Sequence, residues 1–395
     1  MSLFDVYPLY DVTPTSAKDV FVYDSEGTEY LDLYGGHAVI SIGHSHPKYV
    51  SAISDQVEKM GFYSNSIKNP LQLELAEKLE ALSGCKGYQL FLCNSGAEAN
   101  ENALKLASFH NAKAKILAFK NSFHGRTSAA VAATDNPKIV APLNAQQKVD
   151  FVELGDLDTV ASILKRNETC AVIIECIQGV GGLDQSTTDF YKGLEVLCQQ
   201  HNTVLIADEV QSGFGRTGDF FAFQKHGITP DIISMAKGMG NGFPVGGILI
   251  HPSIKASFGL LGTTFGGNHL ACAATLSVLN TIESENLMQN ATEISKYFLE
   301  KAKQLPKLKA IKGRGLMLGL EFDFPISELR KQLIFEHHIF TGSAKHPNLI
   351  RILPPLTIKE VHIDRLFEAL RKELNHEKTS LKDIYDTPKV PSRGQ

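Results

Sequence analysis

Several things that this chain lacks narrow its class. It has six cysteines (Cys85, Cys93, Cys170, Cys176, Cys198 and Cys272), and no two of them form a C-x-x-C pair. In a chain of 395 residues that scatter argues against a disulfide scaffold or a zinc site and fits a reducing compartment. No apolar run approaches the roughly 18 residues that a membrane helix needs. The opening stretch "MSLFDVYPLYDVTP" carries acids early and lacks a basic-then-apolar signal layout. Net charge is −4 with histidine neutral, so there is no basic excess for gripping nucleic acid. There are no internal repeats. These absences lead to the expectation of a soluble cytoplasmic protein with neither a membrane nor a nucleic-acid partner.

What is present points to a large folded enzyme. Hydrophobic residues make up 43% of the chain, ample for a core that at this length usually divides into two domains. Residues 1–50 read as an arm plus a hairpin, with "DVFVYDSEGTEYLDL" turning at Glu26-Gly27. From 51 to 275 short apolar runs alternate with amphipathic stretches such as Glu98–His110 and Thr188–His201. The runs are "YQLFLC", "KILAF", "KVDFVEL", "CAVIIE", "TVLIADE" and "DIISMA". That alternation predicts an α/β domain whose mostly parallel sheet is covered on both faces. Residues 276–376 read as a smaller α+β domain, to which the first 50 residues also belong. Residues 377–395 read as a polar tail.

In an open α/β sheet, ligands bind beyond the carboxyl ends of the strands. After "YQLFLC" comes Ser95-Gly96-Ala97-Glu98, the form of a capping box at a helix start, with a bare backbone suited to an anion such as phosphate. After "KILAF" come Phe123, His124 and Arg126; a guanidinium there suits a carboxylate, whereas the histidine reads as an ordinary satisfied polar group. After "TVLI" comes Asp208, an acid that is costly among buried residues unless paired. After "DIISMA" comes Lys237, followed by five glycines within ten residues. A desolvated lysine loses basicity and becomes a usable nucleophile, and the glycines suggest room for a flat ligand. Asp208 and Lys237 are 29 residues apart, which allows one connection between two strands. Phosphate cradle, aromatic plate, buried acid and activated lysine are together the parts that a pyridoxal-phosphate enzyme needs. One decoy is discounted: Gly213-x-Gly215-x-x-Gly218 spells a dinucleotide fingerprint, but it does not join a strand tightly to a helix.

Taken in order, "NSGAEAN", "FHGR", "IIECIQGVGG", "LIADEVQSGFGRTG", "SMAKGMGNGFPVGG", "TTFGGNHLACAA" and "IKGRGLMLGLEF" resemble the landmarks of class III (omega) pyridoxal-phosphate aminotransferases. The resemblance covers roughly residues 15–370, and "GGHAV…GHSHP" with "FHGR" is most similar to the members acting on N-acetylornithine. It implies fold type I and a homodimer with shared active sites. It implies that Lys237 forms a Schiff base with the cofactor pyridoxal 5'-phosphate, that Asp208 binds the pyridine nitrogen and that Gln211 bonds the ring hydroxyl. Phe123 and Val210 would lie against the two ring faces. Ser95, Gly96 and Ala97 would hold the phosphate, completed by Thr264 of the other subunit. Arg126 would bind the substrate carboxylate, and Arg351 the α-carboxylate of glutamate and 2-oxoglutarate.

Two departures stand out from the family's "EPIQGEGG" and "GGNP". Val180 replaces the glutamate that can mask the glutamate-binding arginine, which leads to the expectation that Arg351 stays open. His269 replaces a proline and is expected to alter a local turn. The reaction implied is transfer of the δ-amine of N-acetylornithine, or N-succinylornithine, to 2-oxoglutarate. The alternatives are an omega-aminotransferase for ornithine or 4-aminobutyrate, a dinucleotide-binding oxidoreductase, and a silent binding protein.

Overall fold

The computed structural model describes residue 1 and residues 3–385, without the side chains of 376–385. Its strands are β1 Pro14–Lys18, β2 Phe21–Asp24, β3 Glu29–Asp32, β4 Gln89–Cys93, β5 Lys115–Phe119, β6 Val149–Val152, β7 Thr169–Ile174, β8 Val204–Asp208, β9 Ile232–Met235, β10 Gly246–Ile250, β11 Leu308–Arg314, β12 Met317–Phe322, β13 Ile339–Phe340, β14 Gly342–Ser343 and β15 Leu349–Ile352. Seven of them build the main sheet in the order β4-β10-β9-β8-β7-β5-β6.

The central strands β7 and β8 are buried at every residue. Runs such as "TCAVII" cannot face water on either side, so helices must cover both faces. The helix Thr188–Gln200 does so with a buried stripe of Phe190, Tyr191, Leu194 and Cys198, which is helical spacing. Each of the six apolar runs read from the sequence is a strand of this sheet. One strand was not anticipated. β10 lies within the glycine-rich stretch after Lys237, is antiparallel to both β4 and β9, and alone runs against the others. Gly246 and Gly247 make that possible. A Cβ on Gly246 would sit 2.7 Å from the carbonyl oxygen of Ser95 and 3.0 Å from that of Met235.

Two four-stranded sheets flank this one. In the first, β2 and β3 form the expected hairpin, with Gly27 at φ 83°. β1 adds on one side, and β13, from near the other end of the chain, adds in parallel to β3. The second sheet has the order β11-β12-β15-β14. A single apolar cluster runs from Leu117, Val172 and Leu205 of the main sheet to Leu320, Ile350 and Phe367 near the C-terminus. The expected boundary after residue 275 falls inside the helix His269–Ser284. The last helix, Glu360–Tyr385, continues into the stretch read as a polar tail, and the rest of that tail lies outside the described residues. All six cysteines are free and buried. Among the described residues no helix is long and apolar enough to cross a membrane.

Gly246→Ala forces a methyl group between two backbone carbonyls that cannot rotate away. Overpacking of this kind costs about 1–3 kcal/mol, so the urea midpoint should fall; an unchanged midpoint would mean that β10 shifts freely.

Candidate active site

The carboxyl ends of β5, β7, β8 and β9 open onto one cavity of about 360 Å³, and the loop after β4 closes its side. Ser95, Gly96, Ala97, Phe123, Arg126, Asp208, Val210, Gln211 and Lys237 all line it. The strand-end rule therefore picked residues that the fold brings to one cavity. Two expected residues are not among its lining. Thr264 is exposed on its own chain, and Arg351 reaches the cavity only through Gln211, to whose Oε1 its Nη1 donates at 3.3 Å.

Asp208 ends β8 opposite Ser234 of β9. Its carboxylate is 5% exposed and fully engaged. Oδ2 accepts from Asn100 Nδ2 at 2.8 Å and faces His124 Nδ1 at 2.7 Å; Oδ1 accepts from the Val210 amide at 3.0 Å. A buried carboxylate needs this many donors to remain charged. Among the described residues His124 Nε2 and Asn100 Oδ1 are left without partners. Asn100 was not singled out from the sequence, and His124 was read there only as a satisfied polar residue, although signals for their link to Asp208 existed. Asn100 lies one helical turn after Gly96, hence on the same helix face, and His124 directly follows Phe123.

Lys237 follows β9 at the start of a short 3₁₀ turn and has φ 47°. Left-handed backbone in a bulky residue is uncommon and costs energy. Here the Met239 amide donates to the Ala236 carbonyl, and the Gly240 amide donates to that of Lys237, both at 3.0 Å. Burial pushes the lysine's basicity down, Asp208 and Glu175 oppose that, and Arg351 adds to it. The following glycines play a different part from the one expected. A Cβ on Gly240 would meet the Phe243 carbonyl oxygen at 2.2 Å, and one on Gly247 the Phe91 carbonyl oxygen at 2.8 Å. They let backbone approach backbone; Gly242 is the one of the five that lines the cavity.

The helix Gly96–Asn111 begins at Ser95, whose hydroxyl accepts from the Glu98 amide at 3.2 Å. Glu98 reaches back one residue further than in a regular capping box, accepting from the Asn94 amide at 2.7 Å. Among the described residues the Gly96 and Ala97 amides have no partner. Gly96 must be glycine, since a Cβ would lie 2.5 Å from Val210 Cγ1.

Glu175, just after β7, was not assigned a role from the sequence. It is buried and accepts from the Phe123 amide at 2.9 Å and the Gly179 amide at 2.8 Å. Burial pushes its carboxyl up to about 7. Arg126 is exposed at the cavity and forms no ion pair among the described residues. Arg351 is 3% exposed and likewise meets no carboxylate among the described residues. Nε donates to the Ser343 carbonyl at 2.6 Å, and Nη1 to the Gly179 carbonyl at 2.9 Å and Gln211 Oε1 at 3.3 Å. Val180, in place of an acid, lines the cavity beside it.

His269 is the first residue of its helix, a position that proline also suits, and Asn268 caps that helix through the Ala271 amide. The discounted glycine fingerprint has a packing role. Cβ atoms on Gly215 and Gly218 would lie 2.9 Å from Met288 Cγ and 2.5 Å from Thr292 Oγ1, both on the helix Leu287–Ala302.

Glu175 yields a pH prediction. Its folded pKa is raised, so the unfolded chain releases this proton first as pH rises, and stability is lost between about 4.5 and about 7. Glu175→Gln should flatten that part of the urea-stability profile relative to the parent; parallel profiles would show that Glu175 stays ionised throughout.

Comparison with known proteins agrees with this geometry. Residues 6–374 match the family model described as aminotransferase class-III. An acetylornithine aminotransferase of Aquifex aeolicus is 41% identical over 387 residues, covering 94% of this chain and 99% of its own length. Another acetylornithine aminotransferase, from Bacillus subtilis, is 37% identical, with 95% and 98% covered. The solved ornithine aminotransferase of Toxoplasma gondii, with PLP partly occupying its active site, superposes with a TM-score of 0.88 at 26% identity, covering 95% of this chain and 92% of that one. The resemblance read from the seven motifs thus holds over nearly the whole length, and the chain belongs to the class-III aminotransferase family.

Proposed function

We propose that this enzyme moves the δ-amino group of N-acetylornithine, or of another N-acylornithine such as N-succinylornithine, to 2-oxoglutarate. The products are the N-acylglutamate semialdehyde and glutamate, and the step belongs to arginine biosynthesis. The observation that carries the reading is the joint placement of a buried lysine and a fully engaged carboxylate in one cavity, beside a helix N-terminus with two unpartnered amides.

Those residues fit pyridoxal 5'-phosphate. When bound, the cofactor supplies an aldehyde that takes up amino groups and a protonated ring that draws off electrons. Lys237 would hold the aldehyde, and Asp208 the ring nitrogen. Asn100 and His124 fix the Asp208 carboxylate in place, facing the cavity where it would meet that nitrogen. The Gly96 and Ala97 amides, with the Ser95 hydroxyl, would receive the phosphate. Phe123 and Val210 would bracket the ring, with Gln211 at its hydroxyl. Lys237 Nζ would also be the base suited to take a proton from the carbon bearing the substrate's amine and to return it as an acid. Arg126 would bind the donor's carboxylate, and Arg351 that of 2-oxoglutarate and glutamate.

We read the working unit as a cytoplasmic homodimer. In support, Thr264 is exposed and does not line the cavity of its own chain, and nearby Phe62 and Phe265 pack ring to ring 5.4 Å apart and are both exposed. Exposed apolar surface of this kind suits an interface, across which Thr264 would complete the phosphate site of the other subunit. We also keep the division into an N-terminal segment, a large cofactor domain and a C-terminal small domain; the pairing of β3 with β13 supports grouping the first and last of these.

Donor kinetics test the substrate reading. With 2-oxoglutarate as acceptor, an N-acylated ornithine should give the highest kcat/KM; faster turnover of ornithine or 4-aminobutyrate would overturn it. Lys237→Ala should reduce turnover by at least about 100-fold, since general acid–base help alone is worth that much, with an unchanged circular dichroism spectrum. Val180→Glu adds an acid beside the cage of neutral acceptors around Arg351. It should lower the efficiency for glutamate relative to the acylornithine, and an unchanged ratio would mean that Arg351 is not reached from position 180.

A further inference from the structure

A second cavity, of about 550 Å³, lies between the N-terminal sheet and the helix Ser327–Phe335, and it shares no lining residue with the Lys237 cavity. Its charged end is Arg330. The Tyr10 ring lies over one face of the guanidinium, 5.8 Å from its carbon. Nη2 donates to the Thr341 carbonyl at 2.7 Å, and Nε is buried without a partner among the described residues. No carboxylate pairs with Arg330 among the described residues. Thr341 also lines the cavity; its hydroxyl is buried and has no partner among the described residues.

One acid, Asp32, lines the cavity, but its capacity is taken up. Asp32 Oδ1 accepts from the Tyr34 and Gly35 amides at 2.9 and 2.8 Å, and Oδ2 faces His44 Nε2 at 2.8 Å. The remaining walls are largely apolar and include Val22, Ile334 and Phe340. An arginine stacked on an aromatic face, with the rest of its fork unpaired, matches a planar carboxylate in two-pronged fashion. A buried hydroxyl without a partner leaves a further hydrogen bond to be made. Apolar walls exclude a ligand that is polar all round.

We propose that this cavity binds a small carboxylate with an apolar body, the carboxylate on Arg330 and Thr341 and the body between Tyr10 and the walls of Val22, Ile334 and Phe340. The cavity shares no lining residue with the Lys237 cavity, and its nearest link to it is Tyr34 in its wall, whose ring lies 5.9 Å from the Arg351 guanidinium; its occupant is neither the amino donor nor 2-oxoglutarate.

Benzoate is a suitable probe, titrated calorimetrically into holoenzyme whose active site is saturated with 2-oxoglutarate in the absence of a donor. The expected result is one benzoate per chain. Arg330→Gln should weaken it by at least about tenfold, the loss expected for a charged hydrogen bond, and Thr341→Val should weaken it by less. Arg351→Gln should leave it unchanged, and benzyl alcohol, lacking the charge, should bind at least about tenfold more weakly. Arg330→Gln should keep its transaminase kcat, which reports that the variant folds. No benzoate binding to the parent enzyme, equal binding to Arg330→Gln, loss in Arg351→Gln, or inorganic phosphate binding as tightly as benzoate would each overturn the proposal. Failure of the acylornithine reading, by contrast, would leave this titration unaffected.

Discussion

The site depends on housing one carboxylate inside the protein. Asp208 sits at the end of a strand buried at every position, where an unpaired charge would be prohibitive. Three donors from three parts of the chain remove that difficulty: an asparagine one turn into the helix after β4, a histidine from the loop after β5, and the amide of Val210. Each donor is held by an element that has its own reason to be there. Asn100 is fixed because Ser95 and Glu98 start its helix, and His124 because its amide bonds the Thr134 hydroxyl at 2.9 Å. The acid thus ties the far sides of the cavity together as well as forming its floor.

Parallel strands make this convergence possible. β8 and β9 are adjacent and in register, so Asp208 and the chain leading to Lys237 leave the sheet side by side. β10 then turns back antiparallel and brings β4, with its helix start, against the same edge. That reversal requires glycine where Gly246 faces the carbonyls of Ser95 and Met235. The glycine-rich stretch after the lysine is therefore chiefly a means of packing backbone against backbone, and the open cavity is a consequence of where that packing ends.

Arg351 shows another way of housing a buried charge. Its donors meet two carbonyls and an amide oxygen, and its guanidinium lies 5.9 Å from the Tyr34 ring centre. Burial pulls its basicity down, and neutral acceptors offset this less than a carboxylate would. Val180 offers Arg351 no acid, and among the described residues no carboxylate meets this guanidinium. Arg330 has a similar lack of an acidic partner but belongs to a different cavity.

Much of this was legible in the linear chain. The six apolar runs became strands because continuous burial-type residues of that length have few other fates. The residues following them could be assigned to one rim because strand ends in a parallel sheet share an edge. Lys237 and Asp208 stood out because charges beside such runs are costly without a purpose. The reversed strand β10 was not legible, since its direction is set by glycine contacts with distant carbonyls. The roles of Asn100, His124 and Glu175 were also hidden. Each is an ordinary polar residue in sequence and gains meaning only from a partner 108, 84 or 52 residues away. The sequence by itself determined which residue types face the edge of the sheet, because hydrophobic periodicity is local. Only the tertiary structure decided which of them share hydrogen bonds, because burial leaves each polar atom to find its partner wherever the fold puts one within reach.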